Sequence, residues 1–189
     1  MKKIIIFSAP SGSGKTTIIH RLIKKGLPLG FSISATNREP RKNEINGKDY
    51  FFFTIEEFKE KIKENEFIEW EEVYEGMFYG TLKSEIDRIW NSNKAVVFDV
   101  DVKGGVSLKN IFKNKALSIF IMPPSIEVLR ERLMFRHTES EESIEKRIAR
   151  AQYEMEFAPK FDITIINNNL EEAVENAYRQ ITEFLDMEI

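Results

Sequence analysis

The chain has 189 residues, 42% of them hydrophobic and 31% charged, and its 28 Lys and Arg against 31 Asp and Glu give a formal net charge of −3. This length suits one domain, and the lack of cysteine together with only two histidines, far apart in sequence, excludes a disulfide scaffold and a zinc module. The near balance of charge argues against a nucleic-acid binder, and no apolar run has the length of a membrane span or a signal peptide, so we expect a cytoplasmic protein without nucleic-acid or membrane partners.

Short β-branched runs alternate with longer helical patterns along most of the chain, which is typical of parallel strands joined by crossover helices. Continuous apolar runs predict buried strands at Ile4–Phe7, Ala95–Phe98, Leu117–Met122 and Ile163–Ile166. Apolar residues at helical spacing predict helices at Ile18–Ile23, Ile55–Lys63, Leu82–Trp90, Val106–Phe112, Ile126–Arg136, Glu141–Phe157 and Leu170–Leu185. The chain is therefore predicted to be an α/β protein with a parallel sheet of about five strands.

One stretch interrupts this alternation. Strand-like patterns recur at Phe31–Ser34, Tyr50–Thr54 and Phe67–Tyr74, and Asn46-Gly47 is a hairpin-type turn signal. We interpret this stretch as an antiparallel insertion into the α/β core. A second insertion, shorter and charged, is predicted around Arg132–Arg150.

Helix starts are marked by two capping-box patterns. Thr54-x-x-Glu57 and Thr138-x-x-Glu141 have the form in which a threonine and a glutamate satisfy each other's backbone N–H groups. Each predicts a helix that begins just after its threonine.

The segment directly after the first strand has the form of a nucleotide-binding P-loop. It reads Ala9-Pro10-Ser11-Gly12-Ser13-Gly14-Lys15-Thr16, followed by Thr17, and departs from the pattern only where Ala9 replaces a glycine. The glycines let backbone N–H groups approach phosphate oxygens, and the following helix N-terminus attracts anions. Lys15 is expected to reach the β- and γ-phosphates and Thr16 to offer its hydroxyl to Mg²⁺, so this segment predicts a nucleoside triphosphate site.

A GTPase switch is one alternative for a P-loop protein. Asp101-Val102-Lys103-Gly104 satisfies its loose D-x-x-G form, but no guanine-reading Asn-Lys-x-Asp motif follows. A four-residue match arises easily by chance, so this alternative has little support.

Arginines and tyrosines in the insertion suggest a second phosphate site. Arg38 and Arg41 flank a proline that disfavours helix, Tyr50 follows the turn, and Tyr79 lies farther on. Arginine forks bind phosphate oxygens bidentately, and tyrosine hydroxyls add neutral donors. Alone this cluster also fits a solvated loop, but beside a P-loop it predicts the site of a monophosphate.

Taken in order, these motifs resemble guanylate kinase, which phosphorylates GMP with ATP. The resemblance runs from about Lys3 to Leu185 and includes the P-loop and the segments at 34–41, 44–50, 66–70, 79–81, 99–101, 123–125 and 138–142. It implies a P-loop nucleoside-monophosphate-kinase fold in one domain, with core segments 1–30, 95–131 and 151–189. It further implies a mixed β GMP-binding insertion at about 31–94 and a helical lid at about 132–150. The implied reaction is phosphoryl transfer from ATP to GMP with Mg²⁺, with dGMP as a second candidate acceptor.

The resemblance also assigns residues to the GMP site. Arg38, Arg41, Tyr50 and Tyr79 match the phosphate clamp. Glu69 and Asp101 match carboxylates that accept from guanine N1–H and the amino group, Ser34 and Thr81 match hydroxyls that donate to O6, and Glu44 matches a position that orients an arginine. A site with buried carboxylates would discriminate strongly against AMP. The alternatives are a solvent-facing position for Glu69 and a helix cap for Asp101.

Arginines in the second insertion match the family's lid. Arg132 and Arg136 share a helix face, and with Arg147 they match lid positions that converge on the transferring phosphoryl group, where cations supply most of the catalysis. Arg150 fits either the lid or a solvated helix face, and His137 stands where the family usually has glycine. The predicted catalytic residues are Lys15, Arg38, Arg132, Arg136 and Arg147.

Two further polar residues complete the predicted ATP site. Asp99 matches a family carboxylate near Mg²⁺, acting directly or through a water molecule. Asn167 is assigned to adenine, or alternatively ends its strand as a turn former. Two rival functions remain: a non-catalytic guanylate-kinase-like module that binds partner proteins, and a P-loop kinase of a sugar phosphate. The sequence leaves the oligomeric state open.

Overall fold

The computed structural model describes residues 2–134 and 141–187. The described chain divides into two compact units. One unit is Leu29–Val97 with Lys2, and the other is Lys3–Pro28 with the described part of Phe98–Ile189. The chain thus leaves the larger unit after Pro28 and re-enters it at Phe98.

The elements follow the alternation predicted from the sequence. In chain order they are β1 (Ile4–Ser8), α1 (Lys15–Lys24), β2 (Leu29–Phe31), β3 (Ala35–Thr36), β4 (Phe51–Phe52), α2 (Ile55–Lys63), β5 (Phe67–Tyr74), β6 (Met77–Leu82), α3 (Lys83–Asn91), β7 (Ala95–Asp99), α4 (Val102–Phe112), β8 (Ala116–Met122), α5 (Ile126–Met134), α6 (Glu141–Met155), β9 (Ile163–Ile166) and α7 (Leu170–Asp186). Short 3-10 helices lie at Lys113–Lys115 and Ala158–Lys160.

Five strands form a parallel sheet in the order β2-β7-β1-β8-β9, flanked by helices. The prediction of a five-stranded parallel sheet is therefore confirmed. Its strand β1 is wholly buried, with Ile4 to Phe7 at 0% exposure, which is why it is a continuous apolar run. The helix α4 begins earlier than predicted because the Asp101 side chain accepts from Gly104 N–H and caps it.

The smaller unit carries a second sheet of four strands in the order β4-β3-β6-β5. This sheet is mixed, as the family resemblance implied, because β3 pairs with β4 in parallel while β6 runs antiparallel to both β3 and β5. The strand patterns alone had suggested an antiparallel insertion, which does not account for the parallel pair. The Asn46-Gly47 signal does form a tight turn, with Gly47 N–H donating to Tyr50 O at 2.8 Å, but it does not join two paired antiparallel strands.

The predicted strand at Phe31–Ser34 is wrong in its bounds. Strand β2 ends at Phe31 and β3 starts at Ala35, and between them the backbone N–H of Ile33 donates to a side chain, that of Glu85, at 3.0 Å. A bond to a side chain replaces the strand ladder at this point. The predicted strand at Tyr50–Thr54 likewise shortens to the two residues of β4.

The core of the smaller unit is aromatic. The buried residues Phe58, Phe67 and Phe78 pack together with Ala35 and Leu82, and the Phe58 and Phe67 rings stack with centroids 4.5 Å apart. The capping box predicted at Thr54 is confirmed at the start of α2, whereas the one predicted at Thr138 lies outside the described residues. Within residues 2–134 and 141–187, none of the helices combines the length and apolarity needed to cross a bilayer.

Candidate active site

The P-loop segment lies between β1 and α1 in the larger unit. Gly12 and Gly14 have φ of 95° and 89°, a left-handed backbone that strains any residue with a Cβ. Gly14 is also the N-cap of α1, which has neither a side-chain cap nor an acidic residue in its first turn. The N–H groups at this helix start therefore have no competing carboxylate of their own helix, which suits phosphate.

Lys15 and Thr16 meet one carboxylate at the end of β7. Lys15 Nζ lies 2.5 Å from Asp99 Oδ1 and donates to Val100 O at 3.0 Å, and Thr16 Oγ1 donates to Asp99 Oδ2 at 3.1 Å. The Lys15 and Asp99 side chains are 16% and 19% exposed, so the ion pair is largely shielded from water. The structure thus brings together the P-loop cation, the P-loop hydroxyl and the predicted metal-site carboxylate.

Two of the arginines predicted for the lid contact residues of the predicted ATP site. Arg147 donates to Ser11 Oγ in the P-loop, and Arg132 Nη2 donates to the backbone oxygen of Asn167 at 2.9 Å. Arg150 forms an ion pair with Glu154 on its own helix at 2.9 Å. Arg136 and His137 lie outside the described residues.

Asp101 and Asn167, the other predicted contacts in this unit, are both hydrogen-bonded within it. Asp101 Oδ1 accepts from Gly104 N–H at 2.8 Å, so Asp101 caps α4, as the helix-cap alternative predicted. Asn167 is buried, and its Nδ2 donates to Ser13 O in the P-loop at 2.7 Å.

In the smaller unit, Arg38 and Glu44 form a two-point ion pair. Arg38 Nη1 and Nη2 each donate to one Glu44 oxygen at 2.7 Å, and the side chains are 11% and 17% exposed. Arg41 N–H donates to the same carboxylate at 2.7 Å. The hydrogen bond from Arg38, followed by that from Arg41, lowers the pKa of Glu44 to about 2. The hydrogen bond to Glu44 raises the pKa of Arg38, so both groups are charged across the physiological range.

Two tyrosines border this arginine. The Arg38 guanidinium carbon lies 5.1 Å from the Tyr50 ring centroid, and the Tyr50 and Tyr79 rings meet edge to face at 6.2 Å. A hydrogen bond with Tyr79 is a further cause of the raised pKa of Arg38. The structure therefore assembles Arg38, Glu44, Tyr50 and Tyr79, while the Arg41 side chain is exposed.

Glu69 and Thr81 face each other across β5 and β6. They are register partners, and Thr81 Oγ1 donates to Glu69 Oε1 at 2.7 Å. A Cβ at Gly80 would come within 2.8 Å of Glu69 O, so only glycine allows the strands to approach this closely here. The fourth predicted guanine contact, Ser34, is held by its backbone, which accepts from Phe51 N–H at 2.9 Å.

Sequence reasoning missed one buried carboxylate beside this site. Glu85 on α3 is 3% exposed, and besides the Ile33 N–H it binds Arg88 at 2.7 Å. Burial opposes ionisation, but the bonds from Arg88 and Ile33 outweigh it and lower the pKa of Glu85. Its signal in the sequence, a glutamate three residues before an arginine, is the same as that of a solvated helix pair.

Comparison with known proteins gives a consistent result. The family model described as guanylate kinase matches residues 1–186. Guanylate kinase of Bacteroides fragilis is 54% identical over 186 residues, covering 98% of this chain and 91% of that protein, and guanylate kinase of Porphyromonas gingivalis is 50% identical over 98% and 99%.

Solved structures agree in fold. The crystal structure of guanylate kinase from Anaplasma phagocytophilum superposes with a TM-score of 0.77 at 28% identity, covering 98% of this chain and 87% of that one. Shikimate kinase from Bacteroides thetaiotaomicron, at 13% identity and a TM-score of 0.51, shares the fold alone.

Proposed function

The chain belongs to the guanylate kinase family, and from this we propose that it transfers the γ-phosphoryl group of ATP to GMP, giving ADP and GDP. The observation that carries the proposal is the Glu69–Thr81 pair at 2.7 Å, in the same unit as the Arg38–Glu44 ion pair. The Glu69–Thr81 pair suits the edge of a guanine base, and the Arg38–Glu44 pair suits a phosphate. dGMP has the same guanine base and the same phosphate group, and it is a second candidate acceptor.

The ATP side of the reaction is assigned to the larger unit. The triphosphate would lie along residues 9–17, with Lys15 directed to the β- and γ-phosphates and Asn167 hydrogen-bonded to Ser13 of the loop. Arg132, Arg147 and, from the family pattern, Arg136 would surround the transferring group. Arg150, which is paired with Glu154, is not needed in this assignment.

Mg²⁺, which the family implies, fits the oxygen donors at Thr16 and Asp99. A hydroxyl and a carboxylate are hard ligands of the kind that this cation prefers. Among the described residues no group of three or more His, Cys, Asp or Glu side chains could hold a metal, which accords with a cation bound mainly through phosphates and water. The bound cation would neutralise negative charge on the β- and γ-phosphates.

The GMP side is assigned to the smaller unit, and the family pattern alone adds Asp101. Arg38, Arg41, Tyr50 and Tyr79 would hold the GMP phosphate, and Glu44 keeps the Arg38 fork in place by its two-point bond. Guanine presents two donor groups beside one acceptor. By the family pattern, Glu69 and Asp101 would accept from N1–H and the amino group, and the Ser34 hydroxyl would donate to O6. Thr81 has one O–H proton, so it would donate to O6 in place of its bond to Glu69.

Catalysis in this proposal comes from positioning and electrostatics. The arginines and Lys15 hold the attacking GMP oxygen and the γ-phosphorus in line and stabilise the charge on the equatorial oxygens. The chain's own residues form no covalent bond to the phosphoryl group. Closure of the lid would exclude water and so suppress ATP hydrolysis.

A coupled assay of ADP formation tests the proposal. With ATP and Mg²⁺ present, GMP should start turnover and AMP should not, because adenine lacks the donors that Glu69 and Asp101 require. An absence of GMP-dependent ADP formation by correctly folded protein would contradict the proposed function.

A further inference from the structure

Asn167 directly follows β9 and is buried against the P-loop. It is 3% exposed, and its backbone N–H donates to Met122 O on the neighbouring strand at 2.8 Å. The backbone therefore fixes where its side chain can lie. The next residue, Asn168, is exposed, which makes the two asparagines a natural comparison.

The Asn167 side chain contacts the P-loop rather than solvent. Its Nδ2 donates to Ser13 O at 2.7 Å, and because a carbonyl can only accept, the amide orientation is determined by this bond. The same nitrogen would lie 2.5 Å from a Cβ at Gly14. The glycine before Lys15 thus serves two needs, a left-handed backbone and room for this amide.

The oxygen of this amide lowers folding stability, in contrast to its nitrogen. Oδ1 of Asn167 is buried and has no hydrogen-bond partner in the described structure. A buried acceptor without a partner in the protein is unfavourable for folding stability. An apolar side chain of similar size would remove this cost, but it would also remove the donor to Ser13.

The same residue contacts the lid. The backbone oxygen of Asn167 accepts from Arg132 Nη2 at 2.9 Å, so one residue joins the P-loop, the end of β9 and the helix that carries a lid arginine. A displacement of Asn167 would therefore disturb both its contact with the P-loop and its contact with Arg132.

We infer that Asn167 is a positioning residue that holds the P-loop in its phosphate-binding conformation through the Nδ2–Ser13 hydrogen bond. The inference rests on the proposed function for the identity of the ligand, a nucleoside triphosphate. It differs from an adenine contact in one measurable respect, because a positioning role affects the binding of phosphates whether or not a base is attached.

Equilibrium binding in the absence of GMP tests this role. Asn167→Asp keeps the side-chain size but sets a carboxylate oxygen against the Ser13 carbonyl. It should weaken ATP and base-free tripolyphosphate, each with Mg²⁺, by the same factor of at least about ten. Asn168→Asp adds the same charge one residue away on an exposed side chain and should change both affinities less than about twofold.

Steady-state kinetics separate positioning from a loss of fold. Asn167→Asp should raise KM for ATP and leave KM for GMP nearly unchanged, with a circular dichroism spectrum like that of the parent. If this variant fails to fold, Asn167→Ser, which is smaller and uncharged, takes its place in the same measurements.

A loss confined to ATP would overturn the inference in favour of an adenine contact, and unchanged binding of both ligands would overturn it as well. A parent protein that binds ATP but does not use GMP would contradict the proposed function instead, so the two failures are distinguishable.

Discussion

Lys15 Nζ lies 2.5 Å from Asp99 Oδ1, so the P-loop cation and the carboxylate that ends β7 form one ion pair in a largely buried position. Thr16 binds the second oxygen of the same carboxylate. Asp99 therefore orients both P-loop side chains that are assigned to phosphate and Mg²⁺. The pair places the positive charge of Lys15 at the start of α1, next to N–H groups that also attract anions.

Replacement of Lys15 tests the catalytic assignment. Lys15→Ala should lower kcat by at least about a hundredfold, because it removes a positive charge directed at the transition state. The fold should persist, since the strand, loop and helix around residue 15 are held by other contacts. Turnover and the circular dichroism spectrum are the measurements. Lys24→Ala, which removes an exposed lysine from the same helix, is the control, and near-parental rates in Lys15→Ala would refute the assigned role.

Replacement of Glu69 tests guanine recognition. Glu69→Ala removes the partner of Thr81 and the proposed acceptor for guanine N1–H. Hydrogen bonds to charged groups contribute about 1.5–3 kcal/mol, so KM for GMP should rise on the order of 10- to 100-fold while KM for ATP changes little.

Glu60→Ala, at an exposed position on α2, is the control for a lost glutamate in the same unit. A kinase of a sugar phosphate would not need a guanine acceptor, so an unchanged KM in Glu69→Ala would count against a GMP site at this position.

The P-loop and the buried strands could be predicted from the sequence because their causes are local. Residues Ile4–Phe7 of strand β1 are all apolar because both faces of the strand are covered, and the loop after it contains glycines that need a left-handed backbone. The same reasoning missed β3 and made β4 too long. Each has only two residues, and their pairing depends on partners distant in sequence.

Side-chain partners are the other part that escaped prediction. Strand β6 contains Gly80 and Thr81 and lacks an alternating pattern, yet its central position between β3 and β5 places Thr81 against Glu69. The burial of Glu85 and the contact of Asn167 with Ser13 likewise depend on tertiary packing. Residue type and spacing identified candidates, but only packing determines which groups they bind.

The ion pair at Glu44 should make stability depend on pH in the acid range. The pKa of Glu44 is lowered from 4.5 to about 2, so its stabilising contribution is complete above 4.5 and is lost as the pH falls towards 2. Glu44→Gln should therefore melt at a lower temperature than the parent at pH 7, and the gap should narrow between about pH 4.5 and 2.

Thermal melts of the parent and Glu44→Gln at a series of pH values measure this gap. Glu39→Gln, an exposed glutamate in the same loop, controls for the loss of one negative charge. A difference that stays constant across the acid range would show that the Glu44 charge does not stabilise the fold.

A buried lysine just before β1 should matter for stability and not for chemistry. Lys3 is 9% exposed, and its Nζ donates to Phe184 O at 2.7 Å, to Leu185 O at 2.8 Å and to Met187 O at the end of α7. These carbonyls are among the groups that a helix end leaves without internal partners. Lys3→Met keeps the apolar stem and removes the donor, which should cost about 1.5–3 kcal/mol of unfolding free energy.

Lys2→Met is the matched control for Lys3→Met, because Lys2 is exposed and its Nζ lies 5.7 Å from the Trp90 ring centroid, a weak cation–π contact. Denaturant unfolding should show a clear loss of stability for Lys3→Met and a loss below about 1 kcal/mol for Lys2→Met. Both variants should keep the parental kcat below the unfolding transition, since neither lysine is assigned to a nucleotide. Equal stability of the two variants would mean that water replaces Lys3 at the end of α7 without cost.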